Sequence, residues 1–347
     1  MVLIGLLIIL GVVLSAPFLF KKIEEELEIF LFVMGAAAVT LTSQWSLHLI
    51  EEALIEPVKI TAAVFIAGFL FRKLQKPIAN HVDKAAEALG IKFFVFAMIV
   101  SLGLLSSVIT AIIAALVLVE IVTCLKLDRK NEITLVILTC FSIGLGAALT
   151  PIGEPLSTIA IAKLKGVPYE ADFFFLMKHL GPYILPGIAV FGFLGMALMP
   201  HQFPKGRGLS GGKEEDLKAI ALRAAKVYLF VMALIFLGQG FKPMIDAYIV
   251  KIPSQGLYWI NTVSAVLDNA TLTAAEIGPA MSLVQIKSAL IGLLVAGGML
   301  IPGNIPNIIA AGKLKIKSSE WAKFAVPLGL AVMAAYFFVL ELVRSLL

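Results

Sequence analysis

The chain has 347 residues, of which 60% are hydrophobic and only 15% charged, with a formal net charge of +5. Soluble domains carry roughly 25% charged residues, so a soluble enzyme and a nucleic-acid-binding module are both excluded as overall readings. The deficit is concentrated in Met1–Phe20, Ile29–Ile50, Phe173–Met199 and Phe324–Leu340. Each is about long enough to cross a hydrocarbon core of roughly 30 Å as a helix. The composition predicts an all-α, multi-pass protein of the cell (inner or cytoplasmic) membrane, surrounded by lipid.

In chain order, residues 1–54 read as two N-terminal transmembrane helices. The first apolar run has no positive charge before it and Lys21-Lys22 after it, which predicts a retained helix starting outside. Glu51, Glu52 and Glu56 suit an outside loop. Residues 91–125 are largely apolar yet flanked by basic residues on both sides. As one helix they would run about 52 Å, so they read as a re-entrant pair of half-helices with its tip near Leu105-Ser106-Ser107. Two short ordinary helices joined by a tight turn are the alternative. The region 133–166 reads as a helix broken at Thr150-Pro151-Ile152-Gly153-Glu154-Pro155, because proline removes a backbone donor and glycine permits unwinding. A closing helix and a basic loop, 200–225, follow. Beyond it come a second re-entrant pair, 255–282, with its tip at Leu267-Asp268-Asn269-Ala270-Thr271, and a helix at 285–315 broken at Ile301-Pro302-Gly303-Asn304-Ile305-Pro306-Asn307.

The two halves resemble each other. Pairing Pro151 with Pro302 also pairs Gly146 with Gly297, Pro155 with Pro306 and Ala160 with Ala311, and upstream Glu120 falls on Glu276. The reading is two repeats, 55–199 and 226–347. Five segments expected on the cytoplasmic side carry 20 of the 28 Lys and Arg residues. This places loop 200–226 inside, both termini outside, and the repeats in inverted orientation. Inverted repeats with broken helices are a common way to build a transport site at the midplane.

Asp268, Glu120, Glu154 and Glu276 fall at membrane depth in this reading, with no Lys, Arg or His beside them. An intramembrane carboxylate is expensive unless paired, so a bound cation or a proton is the expected partner. Asp268-Asn269 suits a hard cation such as Na⁺, although a helix cap is the plainer role. Glu154 has a similar case, and Glu120 and Glu276 read equally as proton carriers or as structural groups. Ser106, Ser107, Thr110 and Thr271 would add hydroxyls; Gly153, Gly303 and Thr150 line the breaks; Asn304 and Asn307 are amides that need partners. No phosphate loop, metal-type Cys/His spacing or nucleophile–base set is present in the sequence. No enzymatic activity and no organic cofactor are therefore expected, only Na⁺ or H⁺ as coupling ions. Cys124 and Cys140 lie in apolar stretches and suggest no disulfide.

The stretch VLDNATLTAAEIGP, Val266 to Pro279, resembles the hairpin of the ion transporter superfamily, which covers NhaD-type sodium/proton antiporters, ArsB-type arsenite carriers and citrate/dicarboxylate carriers. The two proline breaks are similar to that superfamily's unwound helices. More closely, the chain looks like an archaeal and bacterial family described only as cation transporters of unknown function. The resemblance covers about 55–347 and implies an elevator-type homodimer. It also implies ion and substrate sites at Ser106, Ser107, Thr150, Gly153, Glu154, Asp268, Asn269, Thr271, Gly303 and Asn304. Two departures stand out: the first tip reads Ser-Ser without asparagine, and Glu154 replaces a small polar residue. The expectation is a cation-coupled secondary transporter of the sodium/proton antiporter kind. A Na⁺-coupled carrier of a small organic anion or oxyanion is the alternative, and a channel or structural membrane protein the third reading.

Overall fold

The computed structural model describes residues 2–20, 22–23, 26–125, 127–200, 217–244, 247, 252–267 and 269–346. Among these the only regular secondary structure is helical. Its α-helices are α1 (Val2–Leu19), α2 (Leu27–Leu41), α3 (Leu47–Leu89), α4 (Ile91–Ile109), α5 (Ala111–Leu125), α6 (Arg129–Ala147) and α7 (Pro155–Lys163). They continue as α8 (Phe175–Leu198), α9 (Leu217–Met244), α10 (Ser254–Ile260), α11 (Asn269–Glu276), α12 (Leu283–Gly297), α13 (Ile305–Leu314) and α14 (Ser318–Leu346). Short 3-10 turns at Asn261–Ala265 and Ile301–Gly303 complete the set. Five of the described helices, within α4, α6, α8, α9 and α14, are long and apolar enough to cross a membrane. The chain is a membrane protein.

The sequence explains where these helices sit. α6 and α12 are apolar on nearly every face and buried along nearly their whole length, as a helix at the centre of a bundle must be. α14 is mostly exposed along its apolar window, as suits a lipid-facing position. α4 packs against α6 and α8, and small residues set the first contact. A Cβ on Gly146 would overlap the Gly103 carbonyl oxygen, so the backbones touch there. Ser142 Oγ donates to Ile99 O and Ser106 Oγ to Ile143 O, both at 3.0 Å. Close approach plus hydroxyl bridges is the usual glue between helices in lipid.

Ion pairs tie sequence-distant helix ends together. Arg129, at the start of α6, reaches Glu320 on α14 and donates to Leu314 O at 3.0 Å and Lys315 O at 2.8 Å. It thereby caps the C-terminal end of α13 with positive charge. Lys226 on α9 pairs with Glu26 at 3.1 Å and Glu28 at 2.5 Å. The hydrogen bond from Lys226 holds the Glu26 carboxyl below its ordinary range. Tyr169 OH donates to Met281 O, joining the segment after α7 to the one before α12.

Several expectations need correction. Glu51, Glu52 and Glu56 lie within α3, not in a loop. The 43 residues of that helix run about 64 Å at 1.5 Å per residue, far more than a membrane needs. The break in 91–125 falls at Thr110, which adopts φ 77°, not at Leu105-Ser106-Ser107. Lys205, Arg207 and Lys213 of the basic loop lie outside the described residues.

Candidate functional site

Two interruptions organise the centre. α6 ends at Ala147 with Ala148 at φ −72°, ψ −12°, and α12 ends at Gly297 with Gly298 at φ −76°, ψ −17°. The chain resumes helix after the N-caps Glu154 (φ −156°, ψ 161°) and Asn304 (φ −153°, ψ 145°). Pro155 occupies the first position of α7 and Pro306 the second of α13, where a backbone donor would be unpaired in any case. Side chains then bind carbonyls the breaks leave free. Ser157 Oγ donates to Ala147 O at 3.3 Å, and Asn307 Nδ2 donates to Gly297 O and Leu300 O, both at 2.9 Å.

Both interruptions open on one pocket, lined by Gly153, Glu154, Asn269, Gly303 and Asn304 together with Ala111 at the start of α5. Four helices, α5, α7, α11 and α13, therefore begin at the same place. Each helix start carries a partial positive charge of about +0.5. Glu154 is 8% exposed and Asn269 4%. Neither polar atom of the Asn269 amide has a hydrogen-bond partner among the described residues. Glycine makes room for the two amides: a Cβ on Gly297 would lie 2.6 Å from Asn269 Nδ2, and one on Gly144 2.8 Å from Asn304 Nδ2. The first interruption also touches α5 directly, with Ala111 N donating to Gly153 O at 2.9 Å.

The remaining sequence candidates divide. Ser106 and Ser107 sit in the last turns of α4; the single Ser106 O–H is shared between Gly103 O at 2.6 Å and Ile143 O at 3.0 Å, and Ser107 Oγ donates to Leu104 O at 2.7 Å, so both hydroxyls are occupied by backbone carbonyls. Thr150 donates to Ser107 O and accepts from Ile152 N at 3.2 Å, bracing the break. Thr110 accepts from Ile113 N at 3.4 Å, at the start of α5. Asn307 is fully buried and holds the second break closed. Asp268 and the side chain of Thr271 lie outside the described residues.

The expectation that no basic group reaches the carboxylates is wrong for Glu120. Lys313 Nζ lies 3.5 Å from its Oε1. The two face each other across α5 and α13, beside a small cavity lined by Val64, Val227 and Ile309. Glu276, at the end of α11, instead accepts from Asn261 Nδ2 at 2.9 Å. The two glutamates thus have different surroundings. Ser157, Asn261 and Lys313 were not singled out from the sequence. Asn261 carried the only available signal, an amide inside an apolar run.

No group of three or more His, Cys, Asp or Glu side chains among the described residues could hold a metal ion. No curated protein matches the chain. A family model described as a protein of unknown function (DUF1646) matches residues 3–343, and the chain belongs to that family.

Proposed function

We propose that the chain is a secondary active transporter, cation-coupled and similar in kind to the sodium/proton antiporters, with its ion site where the two helix interruptions meet. The observation that carries this reading is the pocket itself: four helix starts, a nine-tenths-buried carboxyl group at Glu154 and the unpartnered amide of Asn269. Unwound backbone at membrane depth persists where it lines a cavity, and a scaffold has no use for it. Four N-termini contribute about +2 in partial charge. This offsets the negative charge that a carboxylate at Glu154 brings to the pocket.

Two inverted repeats support the same reading. The interruptions share entry and exit backbone angles. Ser106 donates to Ile143 O at 3.0 Å and Ser264 to Leu293 O at 3.1 Å, matching contacts of α4 and the Asn261–Ala265 turn with the long arms α6 and α12. The second arms pack crosswise, α5 on α13 and α11 on α7. This register sets Glu154 against Asn304 and Ala147 against Gly297, one residue from the pairing that the prolines suggest. The 91–125 and 255–282 segments would then be re-entrant, entering from opposite sides. The contacts of Arg129 with 314–320, of Lys226 with 26–28 and of Tyr169 with Met281 each join segments assigned to one side. An elevator-type movement and a homodimer follow from the resemblance to the ion transporter superfamily.

A second reading, a Na⁺-coupled carrier of a small organic anion or oxyanion, draws on the same four N-termini, since helix starts are natural anion sites. A proteoliposome screen of Na⁺, Li⁺, K⁺ and small anions with an internal pH dye separates the two. Cation-driven proton flux supports the antiporter; anion uptake that requires Na⁺ without proton flux supports the second; neither response defeats both.

A further inference from the structure

At the far end of α11 from the pocket lies a second buried polar group. Glu276 is 3% exposed, Asn261 1% and Thr273 fully buried. Glu276 is seven residues beyond Asn269, about 10 Å along the helix axis, and does not line the pocket. Asn261 uses both amide hydrogens: Nδ2 donates to Glu276 Oε2 at 2.9 Å and to Ala289 O at 3.2 Å. Turning the amide over would set its oxygen against two acceptors, so this orientation is the one the surroundings allow. Glu276 Oε1, Asn261 Oδ1 and Thr273 Oγ1 are then left without hydrogen-bond partners among the described residues.

An ionised carboxylate only accepts hydrogen bonds, so Oε1 of an ionised Glu276 and the Asn261 amide oxygen would both be acceptors with nothing to accept. Leaving such groups unsatisfied in a buried place is expensive. The carboxylate would also sit at the C-terminal end of α11, where the helix dipole opposes negative charge. The elements packed on α11 are α7, α9 and α12. Their charged groups with described side chains, including the N-cap of α7, are Glu154, Lys163, Lys218, Lys226, Lys242 and Lys287. None forms an ion pair with Glu276 among the described residues. Lys226 is held by Glu26 and Glu28, and Lys287 lies over the Tyr183 ring, 5.6 Å from its centre.

We infer that Glu276 and Asn261 form a proton-binding site distinct from the pocket. On loading, Glu276 Oε1 takes a proton from hydronium, leaving water, and the new O–H donates to Asn261 Oδ1. Acid and amide then form a ring with two hydrogen bonds, and one proton satisfies both oxygens that the ionised form leaves unpaired. On release the proton returns to water. The charge of the site is −1 empty and zero loaded, which matches a single monovalent ion. The existence of the site stands on this geometry alone; its role as the proton half of an exchange cycle rests on the transport reading above.

The test is infrared difference spectroscopy of the purified full-length protein across a pH change, in H₂O and D₂O. The expected result is a protonated-carboxyl C=O band, sensitive to deuteration, that is lost in Glu276→Gln, where glutamine keeps both ring bonds with Asn261. Asn261→Ala retains the carboxyl and should displace the band, which keeps the test open if Glu276→Gln does not fold. A band set unchanged in Glu276→Gln, or unmoved in Asn261→Ala, overturns the inference. Proteoliposome flux is scored separately: a protein that shows the Glu276 band and moves no cation keeps the proton site and loses the transport reading.

Discussion

Arg129 and Glu320 form a paired, two-bond contact, Nε to Oε1 at 3.0 Å and Nη2 to Oε2 at 2.5 Å, between helix starts 191 residues apart. The same guanidinium also binds Glu132 at 3.2 Å and the last carbonyls of α13. Only a planar fork of five donors can serve all of these at once. Arg129→Lys keeps the charge and loses most of the bonds. It should cost about 2 kcal/mol of stability, read as a lowered melting temperature in detergent. Unchanged melting would mean that the cluster is solvent-screened and does not clasp the helices.

Gly146 and Gly181 make a matched pair of tests. A Cβ on Gly146 meets the Gly103 backbone, which has no flexible end to move aside, whereas one on Gly181 meets nothing within 4 Å. Gly146→Ala should destabilise the protein by about 1–3 kcal/mol. Gly181→Ala should be neutral or slightly stabilising, because alanine favours the helix. Equal melting temperatures for the two variants would place the α4–α6 contact elsewhere.

Asn269 and Asn307 should respond in opposite ways to alanine. Asn307 holds two carbonyls, so Asn307→Ala should lower stability by about 1–3 kcal/mol. The Asn269 amide has no bond to lose among the described residues. Asn269→Ala should therefore leave stability within about 1 kcal/mol while transport falls at least roughly tenfold. A large loss of stability in Asn269→Ala would make it a packing residue and not a ligand.

The distribution of Lys and Arg leads to the expectation that the 200–226 loop is inside and both termini outside. In a protein lacking Cys124 and Cys140, an impermeant thiol reagent added to intact cells should fail to label Lys213→Cys and should label a cysteine at either terminus. The reverse pattern would invert the topology.

What could be read from the sequence follows a physical rule. Proline and glycine act through their own backbones, so the places where α6 and α12 stop are visible at Thr150-Pro151 and Pro302-Gly303. The register between the two breaks was blurred because both of the first two helix positions tolerate proline, at Pro155 and at Pro306. The break at Thr110 was hidden, since a threonine at positive φ depends on tertiary contacts such as Gly153 O binding Ala111 N. Ser106 and Ser107 looked like ligands because a sequence does not reveal that their hydroxyls are already bonded to carbonyls one turn back. Lys313 was invisible as a partner for Glu120 for a similar reason: which helix faces which is decided by packing across nearly 200 positions. The Asn261–Glu276 bond spans only 15 positions, yet no local pattern announces it.

The most direct test of the central claim compares the wild-type protein with Glu154→Gln and Asp268→Asn in proteoliposomes carrying an internal pH dye under an imposed Na⁺ or Li⁺ gradient. Both substitutions keep size and hydrogen-bonding capacity and remove a charge, and asparagine caps a helix about as well as aspartate. Cation-driven proton flux is expected in the wild type and at least a roughly tenfold loss in each variant, equivalent to about 1.4 kcal/mol or more, with folding and insertion intact. Wild-type vesicles no faster than empty ones under Na⁺, Li⁺ and K⁺ gradients, or variants that transport like the wild type, would contradict the claim.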